Sequence, residues 1–159
     1  MKRYIILLIS IIIDGMIPNI TIYDFNNITY FTPLCTVISL VIIYNDKNFI
    51  NLFLFSSIVY GSLYMSNILL SFILFIIVLM VIKYLKKAFE DNLFTIILEI
   101  ILVICIYEFI FFSITSFLYF NNFSFDNYLY KLTHSIIFNL LYGITIYYIY
   151  DKNSSKFKH

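Results

Sequence analysis

Three acidic side chains stand inside apolar runs of this chain: Asp14, Glu99 and Glu108. Glu108 is the deepest, near the middle of a stretch from 93 to 120 in which Glu99 and Glu108 carry the only full charges. An ionised carboxylate at the centre of a lipid bilayer costs at least about 2.5–3.5 kcal/mol, so such a residue faces protein or water, and proton or ion relays are built from residues of this kind. A relay, however, needs several such groups in series. Glu99 and Glu108 are separated by about 900° of helical rotation and point to nearly opposite sides of one helix. They cannot work as an acid/base pair or hold one metal ion between them.

Glu99 lies near the start of its segment and leans toward the lysines that precede it, with Lys83, Lys86 or Lys87 as its partner. Glu108 has no cation nearby in sequence. Its expected neighbours are polar side chains on other helices, for instance Asn139 or His134, and its expected role is a polar packing group rather than a charge carrier. Asp14 is followed closely by Gly15 and by Pro18, which can kink a helix and free backbone groups. It either lines an outward-facing pocket or stays solvated near the headgroups; the second reading is preferred, which leaves Glu108 as the one deeply placed acid.

The remaining reactive residue types support no catalytic site. Cys35 and Cys105 each sit in an apolar run without a CxxC partner, so buried free thiols are expected rather than a disulfide or a metal site. His134 reads as an interfacial hydrogen-bonding residue and His159 as part of a tail. No P-loop, HExxH motif or hydrolase elbow occurs, and neither an enzyme nor a cofactor is expected. Four Asn-x-Ser/Thr triplets, at Asn19, Asn27, Asn122 and Asn153, are what so asparagine-rich a chain produces by chance.

The elements that must position these residues are membrane helices. Only 12% of the 159 residues are charged and 62% are hydrophobic, where soluble domains run at about 25% charged. With a net charge of +1 and no basic stripe, nucleic-acid binding is excluded. The 15 Tyr and 18 Phe, without a single Trp, read as the bias of an AT-rich genome rather than as aromatic recognition. Apolar segments at 4–22, 31–44, 49–64, 68–85, 93–120 and 128–150 predict an all-α integral membrane protein, a six-helix transmembrane bundle forming one domain over 1–151, with a cytoplasmic tail over 152–159. The second segment is the weak one, at about 21 Å against a roughly 30 Å hydrocarbon core. It opens at Thr32-Pro33, a natural helix start, and a re-entrant piece is the alternative.

Charge distribution sets the count and the orientation. With six spans and a cytoplasmic N-terminus, Lys2, Arg3, Lys47, Lys83, Lys86, Lys87, Lys152, Lys156 and Lys158 all lie inside, and Lys131 alone lies outside. That asymmetry is the positive-inside rule. A second segment that failed to cross would send most of these cations outward. The start resembles a signal peptide, with Lys2-Arg3 before an apolar run, but Asp14-Gly15-Met16 follows in place of a cleavage site, so an uncleaved first helix is expected. On the third segment Ser56-Ser57 and Gly61-Ser62 allow close helix approach. The three residues Met65-Ser66-Asn67 then force an antiparallel hairpin with the fourth.

From about Thr32 to Asp151 the order of landmarks resembles the rod shape-determining MreD family of bacterial membrane proteins. Pro33 opens the second helix. Ile58-Val59-Tyr60-Gly61-Ser62-Leu63-Tyr64-Met65 is similar to that family's Gly-x-Leu-Tyr-Asp segment, and 83–87 forms the basic turn after the fourth helix. Tyr107-Glu108-Phe109 supplies the glutamate and aromatic of the long fifth helix, and Phe138-Asn139-Leu140 the asparagine of the sixth. The departure is Met65, where many members carry Asp, and glycine is scarcer than usual.

The resemblance implies the fold of the substrate-binding subunits of energy-coupling-factor vitamin transporters and a scaffold role in the bacterial inner membrane. It implies direct binding to MreC, in a complex with MreB, RodA and the elongation transpeptidase. Asp14, Pro33, Gly61, Glu108 and Asn139 are then structural or interaction candidates, with Lys83, Lys86 and Lys87 facing anionic membrane lipid or partner segments. A vitamin-binding transporter subunit is the alternative. The short 23–27 loop and the little polarity converging on it speak against that reading.

Overall fold

The computed structural model describes residues 2–21, 33–64, 68–89, 92–118 and 125–155. All regular structure among them is helical, in the expected order: α1 Lys2–Thr21, α2 Cys35–Ile43, α3 Phe49–Tyr64, α4 Ile68–Ala88, α5 Leu93–Leu118 and α6 Phe125–Ser155. Many of these residues are Ile, Phe and Tyr, which are only middling helix formers in water. In lipid the backbone must satisfy its hydrogen bonds within the segment, and that requirement overrides propensity. Among the described residues, three helical stretches are long and apolar enough to cross a membrane, Ile68–Ala88, Leu93–Ile114 and Tyr128–Tyr150, while the apolar helix Phe49–Tyr64 is shorter.

The helix ends are set by local chemistry. Asn92 starts α5: its Oδ1 accepts from the Thr95 amide at 2.9 Å, and its own amide donates to Thr95 Oγ1 at 3.1 Å. This is the reciprocal logic of a capping box. α4 runs beyond the expected 85 to Ala88 and ends on Lys86 and Lys87, cations that suit the negative end of a helix dipole. α6 begins at Phe125 and continues through Ser155, so residues 152–155, expected in the tail, are helical.

The largest difference from expectation is α2. The helix covers nine residues rather than the fourteen of 31–44, about 14 Å at 1.5 Å per residue and half of a roughly 30 Å hydrocarbon core. It begins just after Pro33, with Phe31 and Thr32 outside the described residues, and it ends at an Asp46-centred turn. There the Asp46 amide donates to Ile43 O at 2.9 Å, and Asp46 O accepts from the Phe49 amide at 3.0 Å to start α3. All nine α2 residues are buried. A helix that is apolar all round belongs in an interior, and α2 packs against α1, α3, α5 and α6 at once. The other helices form a curved wall around it through the contacts α1–α3, α3–α4, α4–α5 and α5–α6. Leu7, Ile38, Leu40, Leu52, Phe75, Ile100 and Ile104 belong to one continuous core.

Two ion pairs lock one end of the bundle. Arg3, at the start of α1, pairs with the buried carboxylate of Asp46 after α2, whose other oxygen accepts from the Asn48 amide at 2.9 Å. Short as it is, α2 therefore returns the chain to the end at which α1 began. Lys86 of α4 pairs with Glu99 of α5 at 2.9 Å, both side chains almost fully buried. Of the three lysines expected near Glu99, Lys86 is the one that reaches it.

Candidate functional site

The buried polar centre of the molecule is the N-terminus of α2, which lies inside the bundle. The first amides of any helix lack intrahelical acceptors. Pro33 has no N–H to satisfy, and Leu34 at the cap position offers no side-chain acceptor. Other helices supply what is missing. Asn139 of α6 accepts from the Leu34 amide through Oδ1 at 2.9 Å. Asp14 of α1 accepts from the Cys35 amide at 2.7 Å on one oxygen, and from the Thr36 amide at 2.9 Å and the Thr36 hydroxyl at 2.6 Å on the other. A carboxylate has about four acceptor positions, and three donors are gathered on Asp14.

Asp14 is only 6% exposed and Asn139 0%. The expectation of a headgroup-solvated Asp14 is therefore overturned, and Glu108 is not the one deeply buried acid. Asp14 serves as a helix cap delivered from a neighbouring helix, where the positive end of the α2 dipole favours a negative charge. The sequence held half of this: Pro33 marked the start of a helix and Asp14 an acid in an apolar run. Nothing in side-chain spacing shows that backbone amides some twenty residues away are its partners.

Glu108 is 1% exposed, as its position demanded. Tyr60 on α3, Tyr107 beside it on α5 and Tyr128 on α6 are buried as well. Tyr107 stacks on Phe111 with ring centroids 6.2 Å apart, and Tyr60 packs on Phe75 at 5.4 Å. Asn139, expected near Glu108, gives its amide oxygen to Leu34. The His134 side chain lies outside the described residues, as do those of Lys131 and Pro18.

Hydroxyl groups missed in the sequence extend the tie between α1, α2 and α6. Ser10 donates or accepts at 2.7 Å with Ser39 and at 2.6 Å with the Tyr142 hydroxyl. The Tyr64 hydroxyl donates to Ile11 O of α1 at 2.6 Å, and its ring lies on Gly15, where a Cβ would collide with it. Gly61 plays the expected packing role: a Cβ there would come within 2.9 Å of Ser71 Cβ, and Ser71 donates back to Ser57 O at 3.3 Å. These are small residues letting α3 and α4 approach closely. Lys83 and Lys87 point outward and are exposed, whereas Lys86 turns inward to Glu99.

The hydrogen bonds of Asp14 and Asn139 tie α1 and α6 to the start of α2. Asp14 and Asn139 are already spent on hydrogen bonds within the chain, and among the described residues no three His, Cys, Asp or Glu side chains come together as a metal site would require. Comparison with protein-family models, curated proteins and solved structures finds no match to this chain.

Proposed function

We propose that this chain is a non-enzymatic membrane scaffold of the bacterial elongation complex, a six-pass inner-membrane protein of the MreD type with both termini in the cytoplasm. It binds MreC directly and helps couple MreB, RodA and the elongation transpeptidase to cell-wall growth. The landmark order from Pro33 to Asn139 is what suggests this family. The observation that carries the scaffold reading is the capping of α2 by Asp14 and Asn139, because it spends the marked polar residues on fixing α1, α2 and α6 to one another. A bundle tied in this way presents a constant exterior. On α1 that exterior is an apolar stripe of Ile5, Ile9, Ile12 and Met16, each about half exposed. A partner's membrane helix can pack against such a stripe by van der Waals contact.

The even number of passes is supported by the Arg3–Asp46 pair, which sets the start of α1 beside the end of α2 even though α2 is short. The test is co-purification from membranes with MreC at native expression levels. Recovery of MreC with the chain is expected, and its absence would sink the reading. A thermal shift on adding a vitamin, with no MreC recovered, would favour the transporter subunit instead.

A further inference from the structure

The outer face of α4 changes character along its length. Leu69, Ile73 and Met80 are exposed apolar side chains at 72%, 52% and 65%, and Tyr84 is exposed at 74%. Lys83 and Lys87 are exposed on the same side. Met80, Lys83, Tyr84 and Lys87 follow the i, i+3, i+4, i+7 spacing of one helical stripe. Lys86 is off this stripe and committed to Glu99, while neither Lys83 nor Lys87 forms an ion pair among the described residues.

The order of these groups matches the depth profile of a lipid leaflet. The rise from Ile73 to Lys83 is about 15 Å, half of a roughly 30 Å hydrocarbon core. Apolar surface thus comes first, and then a tyrosine, of the kind that favours the membrane interface, between two ammonium groups one helical turn apart. Like charges at that spacing repel, and a phosphate between them removes the repulsion. We infer that this stripe binds an anionic phospholipid of the leaflet at the basic end of the bundle, its acyl chains along Ile73 and Met80 and its phosphate between Lys83 and Lys87. The inference rests on the membrane placement proposed above and not on MreC binding, so the two can fail separately.

The probe is phosphatidylglycerol. The full chain is reconstituted in phosphatidylcholine bilayers containing it, and the lipids retained on release are counted by native mass spectrometry. The parent retains phosphatidylglycerol over phosphatidylcholine, K83Q/K87Q lowers that preference at least about fivefold, and K83R/K87R and K47Q keep it. Raising the salt concentration weakens the preference of the parent itself, which keeps the test informative if the double variant does not fold. Glu90 and Asp91 stand next in the sequence, outside the described residues; E90Q/D91N must hold or raise retention. Undiminished retention by K83Q/K87Q, equal loss in K47Q, a fall in E90Q/D91N or a salt-insensitive parent would each overturn the site. If K83Q/K87Q lost MreC while keeping the lipid, the stripe would belong to an acidic protein segment instead. A chain that never enters bilayers would fail the membrane reading itself.

Discussion

The carboxylate of Asp14 collects two backbone amides and a hydroxyl at the start of a buried helix, and each of those donors would otherwise face apolar surroundings. Removing it leaves donors stranded, and a stranded buried donor costs about 1–3 kcal/mol while loss of a helix cap costs about 0.5–2. Asp14→Ala is therefore expected to destabilise the folded chain by about 2–4 kcal/mol, and Asp14→Asn, which keeps one acceptor oxygen, by about half as much. Denaturant unfolding of the purified protein in detergent measures both. A loss within about 0.5 kcal/mol for the alanine variant, the range of an ordinary surface change, would refute the capping role. The burial of Glu108 was legible from hydropathy alone, because position in an apolar run fixes depth. Asp14 was misjudged because its partners are main-chain groups, and a sequence advertises side chains only. The Ser10, Ser39 and Tyr142 hydroxyls were illegible for a related reason: in isolation each is an ordinary residue of its helix, and only packing of α1, α2 and α6 brings them within 2.7 Å of one another in pairs through Ser10.

Between elements, the buried Lys86–Glu99 pair is the strongest test of how α4 meets α5. Taking away one member of a buried pair costs about 3–5 kcal/mol because the other charge is left uncompensated, whereas replacing both with apolar groups is often close to neutral. Lys86→Met and Glu99→Leu are each expected to destabilise by that amount, and the double variant by less than either single one. A double variant as damaged as the sum of the two would show that the residues act separately. Glu99 as the partner of a lysine near 86 could be read from the sequence, since both lie near the ends of consecutive apolar runs. Helix lengths were less legible. The order of the six helices follows from where polar residues interrupt the apolar runs, but α2 falls short of its run because Pro33 and the Asp46 turn clip it at both ends, and α6 outlasts its run because helical hydrogen bonding does not stop where hydropathy does.

For the molecule as a whole, the Arg3–Asp46 pair gathers the start of α1 and the turn before α3 at one end. The proposed orientation puts that end in the cytoplasm. A membrane-impermeant maleimide applied to intact spheroplasts should then label Ser124→Cys above the background of the parent, and leave Asn48→Cys and Ser155→Cys unlabelled until the membrane is permeabilised. Labelling of position 48 or 155 in intact spheroplasts would reverse or break the topology.

The full burial of α2 has a consequence for biogenesis. A nine-residue helix whose first amides depend on Asp14 and Asn139 has no stable existence as a lone segment in lipid. Asp14 leaves the ribosome before α2 does, but Asn139 leaves 105 residues after Leu34, whose amide it accepts. Until α6 is made, α2 is a half-finished insertion with one amide and one flank unprovided for. α6, made after the other five helices described, completes α2, which ties the maturation of α2 to the synthesis of α6.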